Sequence, residues 1–78
     1  MLRADGFNAA IIGTTWYGSE ELYIYSAEAC IQILIDGGMT DEEAVEYFEF
    51  NVSGSYVGEQ TPIFMYAYEV DEEAEEIL

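Results

Sequence analysis

Carboxylates are the side chains best placed to do chemistry in this sequence. Glu42, Glu46 and Glu49 recur at i, i+4, i+7, which on an α-helix sets three carboxylates in one row, neighbours being ~5–6 Å apart. Like charges at that spacing cost a helix ~0.2–0.5 kcal/mol per pair, and Glu49 also opposes the negative end of the helix dipole. Local stability does not account for the row, whereas a positively charged partner would. Asp41, Glu42 and Glu43 have a structural reason to be acidic, because they complement the positive end of a helix that starts at Thr40. Glu46, Glu49, Glu59, Glu69, Asp71, Glu72, Glu73, Glu75 and Glu76 have none. The candidate partner-binding residues are therefore Glu42, Glu46, Glu49, Glu59, Glu69, Asp71, Glu72 and Glu73.

Other chemistry is poorly supplied. General acid–base catalysis draws on groups titrating near neutrality, and the chain has no histidine, no lysine and one cysteine. Cys30 lies between Ala27 and Ile31 on an apolar helix face without a cationic neighbour, which reads as an inert core thiol. Paired carboxylates could in principle serve glycoside hydrolysis or a divalent metal. However, Asp36-Gly37-Gly38-Met39-Thr40-Asp41 lacks the alternating oxygen ligands and distal bidentate Glu of a calcium loop. A chain this short also leaves little room for a substrate cleft. Seven tyrosines could form a base-stacking platform, but the basic groove that such a platform needs is missing; Tyr23, Tyr25, Tyr66 and Tyr68 read as sheet cover or core. The expectation is a non-enzyme with no catalytic residue, no cofactor and no metal.

Composition narrows the partners. Seventeen Asp and Glu against Arg3 alone give a formal net charge of −16 over 78 residues. Such a field favours a soluble monomer steered toward basic surfaces and makes nucleic acid or an anionic membrane an implausible direct partner. Disordered acidic chains are poor in aromatics, whereas this one is 51% apolar and 15% aromatic and should fold. One domain over 1–78 is expected, near the size at which a core alone supplies ~3–5 kcal/mol. A lone cysteine forms no internal disulfide, the N-terminus lacks signal-peptide character, and no run approaches the ~18 apolar residues of a membrane span. A cytoplasmic location is the simplest expectation.

The elements that must position these groups are legible in outline. Residues 1–7 and 70–78 read as loose termini. Ala9-Ala10-Ile11-Ile12, ended by Gly13, reads as a first strand, and Leu22-Tyr23-Ile24-Tyr25 as a second, with Thr14 to Ser19 joining them in a hairpin. Ser26 is an N-cap for a helix over Ala27 to Asp36, stopped by Gly37-Gly38. Thr40-Asp41-Glu42-Glu43 forms a capping box. The helix it opens has Ala44, Val45, Phe48 and Val52 on its apolar side and ends near Asn51. Ser55-Tyr56-Val57 and Ile63 to Tyr68 complete an order of strand, strand, helix, helix, strand, strand, with Gly58 to Pro62 as a turn. This order predicts an α+β fold, a small antiparallel sheet with two helices packed on one face.

Three readings of the acidity remain open. Carboxylates on a rigid scaffold can imitate nucleic acid and occupy the Lys/Arg groove of a protein that binds phosphates. An acidic, lysine-poor surface also suits a high-salt cytoplasm, although the Tyr, Phe and Ile content is high for such a surface. A third reading is a small adaptor whose acidic tail, residues 69–78, docks on a basic partner. Charge and size favour imitation.

The stretch from Met39 through Thr40-Asp41-Glu42-Glu43-Ala44-Val45-Glu46-Tyr47-Phe48-Glu49-Phe50-Asn51-Val52, followed by Gly54-Ser55-Tyr56-Val57-Gly58-Glu59-Gln60-Thr61-Pro62-Ile63-Phe64, resembles a family of short phage and prophage proteins. Ala10-Ile11-Ile12-Gly13 and Tyr25 to Leu34 extend the resemblance to roughly residues 8–65. Family members usually carry basic residues between the first two strands; Thr14-Thr15-Trp16-Tyr17-Gly18-Ser19 departs from that pattern and removes positive charge. The resemblance implies a phage or prophage origin. Small acidic phage proteins include anti-CRISPR inhibitors and other DNA mimics, so the implied partner is a basic DNA- or RNA-binding host defence protein, such as a CRISPR surveillance complex, met in the bacterial cytoplasm.

Overall fold

A computed structural model describes residues 1–54, 58 and 60–67. After a 3-10 turn at Asn8–Ala10, strands β1 (Ile11–Tyr17) and β2 (Glu20–Ser26) form the antiparallel hairpin. The two residues between them are Gly18-Ser19, and Gly18 takes φ 63°, the left-handed conformation that a two-residue hairpin turn with Gly in first position uses. The first strand thus begins later than its apolar run and continues through Gly13. A bulge between Ile11 and Gly13 absorbs the glycine that would otherwise mark a strand end.

Helix α1 (Ala27–Asp36) starts where its cap predicts, with the Ala29 N–H donating to Ser26 Oγ at 3.1 Å. Helix α2 (Asp41–Tyr47) runs without a break into a π-helical turn over Phe48–Ser53. The chain leaves this turn at Gly54, where an added Cβ would stand 2.6 Å from the Glu49 carbonyl oxygen. Only glycine fits there without a backbone shift. Strand β3 (Ile63–Met65) closes a three-stranded sheet in the order β1-β2-β3.

The α+β class holds, but the all-antiparallel sheet is corrected, because β3 pairs with β2 in parallel through Ile24↔Ile63, Tyr25↔Phe64 and Ser26↔Met65. The physical reason is the connection. Between β2 and β3 the chain makes a helical crossover through α1 and α2, which returns it in the same direction, as parallel pairing requires. β3 is also shorter than the apolar run from Ile63 to Tyr68. Ser55-Tyr56-Val57, Tyr68 and the acidic tail to residue 78 lie outside the described residues.

Phe7, Ala10, Tyr25, Ala27, Cys30 and Phe48 form the buried core cluster, with Ile11, Ile31, Leu34, Val52 and Phe64 packed against it. Tyr25, on the central strand, stacks on Phe64 (centroids 5.2 Å, planes 29° apart) and meets Tyr23 edge-on at 6.5 Å. Phe48 also meets Phe64, edge-on at 5.4 Å. Part of the segment 1–7, expected as a loose terminus, is held by this cluster. Phe7 is buried, the Ala4 N–H donates to the Tyr25 hydroxyl at 2.8 Å, and the Arg3 guanidinium lies over the Tyr23 ring at 5.4 Å. Val45, expected on the apolar side of α2, is exposed, and Ala44 and Phe48 carry the burial instead.

Because Phe48 is fully buried, Phe48→Ala should cost ~3–5 kcal/mol, comparable to what the whole core supplies. The variant is expected to lack a cooperative urea transition by circular dichroism. Tyr25→Phe keeps the ring stack and removes only the acceptor for Ala4, so a loss of ~1 kcal/mol is expected, with faster amide exchange concentrated in residues 2–7.

Candidate protein-binding surface

The acidic row is held by a well-capped helix. Thr40 Oγ1 accepts from the Glu43 N–H at 3.2 Å while Glu43 Oε1 accepts from the Thr40 N–H at 3.0 Å, the reciprocal box read from sequence. The backbone hydrogen bond from Thr40, aided by the Thr40 side chain, holds the Glu43 carboxyl below its ordinary pKa. Glu43 therefore serves the helix start and is committed to it.

Glu42, Glu46 and Glu49 are exposed, and with Asp41 and Val45 they line one shallow, open depression on the outer side of α2 and the π-helical turn. The structure thus brings together three of the eight candidate partner-binding residues. Glu59, Glu69, Asp71, Glu72 and Glu73 lie outside the described residues. Beside the row, Met39, Glu43, Glu46, Tyr47, Phe50 and Asn51 line a second open depression. In it Phe50 is 74% exposed and Tyr47 43% exposed.

Sequence reasoning assigned Phe50 and the tyrosines a binding role only in the alternative reading of an interaction module, did not set Tyr47 and Phe50 beside the acidic row, and assigned Val45 to the apolar side. The signal for two of them was available: the core spacing Ala44, Phe48, Val52 leaves Tyr47 and Phe50 on the far side with Glu46 and Glu49. An aromatic ring beside a carboxylate suits a guanidinium or ammonium group, which gains from both the charge and the ring face. The surface is therefore a set of carboxylates flanked by exposed aromatic and aliphatic side chains, and it is too open to enclose a small molecule.

The rest of the chemistry is quiet. Cys30 is buried, and desolvation pushes its thiol up to about 11, so it stays protonated at neutral pH. Among the described residues, no group of three or more His, Cys, Asp and Glu side chains is arranged to hold a metal ion. Among them too, no helix is long and apolar enough to cross a membrane. Compared with known proteins, the chain matches no family model, no curated protein and no solved structure.

Burial of Cys30 makes two measurable statements. At pH 8 a thiol reagent should label it only at the rate of global unfolding, and at once in denaturant. The raised pKa means that the stabilisation from holding the thiol neutral is complete below its ordinary value of 9.0 and is lost as pH rises toward about 11. The fall in stability across that window should be shallower in Cys30→Ala than in the parent, as read by urea denaturation at each pH.

Proposed function

We propose that this protein is a non-enzymatic inhibitor of the anti-CRISPR kind, an acidic DNA mimic that binds the basic nucleic-acid-binding surface of a host defence complex in the bacterial cytoplasm and blocks DNA from it. The observation that carries the reading is the exposed row of Glu42, Glu46 and Glu49 on α2 and the turn that extends it. These carboxylates are presented by a short, capped helix whose opposite side is anchored through Ala44 and Phe48. A net charge of −16 supplies long-range steering toward a Lys/Arg groove, and carboxylates bind such a groove through the same charge-assisted hydrogen bonds that phosphates make. Glu59 and the acidic tail add charge to the same interaction. No step of this mechanism asks the protein for bond chemistry.

A second reading rests on the exposure of Phe50 and Tyr47: a phage interaction module whose aromatic side chains carry binding while the acidity keeps it soluble. The two readings differ in salt dependence. Competition with DNA weakens as ionic strength rises, since both partners meet through exposed charge; an aromatic contact does not.

Replacing Glu42, Glu46 and Glu49 together by Gln should preserve the fold and hold or raise its urea midpoint, since the repulsion along the row is removed, while weakening inhibition of DNA binding by a purified CRISPR surveillance complex. A loss of about tenfold or more in potency is expected. Unchanged potency in the triple variant would remove α2 from the mechanism. Loss of potency in Phe50→Ala alone, with binding indifferent to salt and to added duplex, would establish the second reading.

A further inference from the structure

We propose that the outer edge of β1 accepts an extended strand from a basic partner protein over Gly13–Tyr17, adding a fourth strand to the sheet. This site is separate from the α2 row and stands whether or not that row competes with DNA. Among the described residues β1 pairs only with β2, in the order β1-β2-β3, so one side of β1 presents unpaired backbone N–H and C=O groups. Folded proteins normally blunt such an edge with a charge, a proline or a very short strand. β1 is seven residues long, Ile11-Ile12-Gly13-Thr14-Thr15-Trp16-Tyr17, with no charge and no proline. In a chain with 17 acidic residues, a strand of β-branched and aromatic residues at a sheet edge runs against both the composition and the usual protection. The one protective device is the bulge between Ile11 and Gly13, which limits regular pairing to the five residues after it.

Charge selects the occupant. Trp16 is 67% exposed and Tyr17 74%. Trp16 stands opposite Glu21 and Tyr17 opposite Glu20 across the hairpin, and Thr14 Oγ1 donates to Glu21 Oε2 at 3.2 Å. An incoming Lys or Arg beside Trp16 would lie against the indole face with a carboxylate one strand further in, combining a cation–π contact with an opposite charge. Pairing with a second copy would instead bring two chains of −16 together with Glu20 and Glu21 beside the seam, which their repulsion opposes. A strand from a basic protein meets both the hydrogen-bonding edge and the charge, the mode by which extended peptides add to exposed sheet edges.

The test uses the full isotope-labelled chain and two synthetic octapeptides of alternating Lys and Val, one unmodified and one N-methylated at every backbone amide so that neither of its edges can donate, at near-physiological salt of ~0.15 M. The two peptides carry the same charge, but only the first can form a ladder. The unmodified peptide is expected to slow exchange of the outward-facing amides within residues 13–17 by about tenfold or more, and the methylated one to leave them unchanged. The triple Glu42, Glu46 and Glu49 to Gln variant should keep this protection, and Trp16→Ser should weaken it. Equal response to both peptides, a response confined to α2, or no response would overturn the proposal. So would protection of these amides before peptide is added, whether at the mass of two copies or of one chain, since the edge would then already be occupied.

Discussion

The fold depends on one buried aromatic stack. Tyr25 lies fully buried on the central strand, with Phe64 of β3 stacked against it and Phe48, just after α2, meeting Phe64 edge-on. Three elements far apart in sequence meet in those two contacts. Aromatic pairs of this kind add ~0.5–1.5 kcal/mol each beyond the area they bury, a sizeable share in a domain whose core supplies only ~3–5 kcal/mol. The Tyr25 hydroxyl extends the constraint to the N-terminus by accepting from Ala4. Strand pairing, helix position and the first residues of the chain thus share one set of contacts.

That core also decides where charge can go. With apolar side chains committed inward from α1, α2 and β2, the carboxylates of α2 have only the outer side of the helix available, and no oppositely charged neighbour on their own helix draws them back. Their mutual repulsion is tolerated because Ala44 and Phe48 fix the helix from beneath and the Thr40–Glu43 box fixes its start. The result is a row whose geometry is set by the interior and whose charge is free to act on a partner. The hairpin provides the contrast. β1 carries no charge at all, and among the described residues it pairs only with β2, so an uncharged strand stands in contrast to the acidic row.

Much of this was legible in the sequence where interactions are local. The Ser26 and Thr40 caps, the span of α1, the hairpin and the acidic row follow from contacts within a turn or two of chain, and the structure has each of them. The misreadings arise where a distant residue decides. Gly13 reads as a strand end until β2 lies beside it and a bulge accommodates it. Ala4 and Phe7 read as part of a loose terminus until Tyr25 accepts from the one and the core buries the other. Val45 satisfies the helical period, but Ala44 and Phe48 take the buried positions and Val45 lines the acidic depression with Glu42, Glu46 and Glu49.

The sequence by itself determined the chemistry this protein can offer: carboxylates in a helical row, an inert thiol, and no histidine or lysine for acid–base work. Those are properties of residue type and of spacing along one element. Only the tertiary structure decided that β3 runs parallel to β2, that Tyr47 and Phe50 flank the row, and that among the described residues β1 pairs with β2 alone. Strand order and direction follow from where the helical crossover returns the chain, and exposure follows from which side of each element the aromatic core occupies. Both are set by contacts between residues distant in sequence, which a local pattern does not encode.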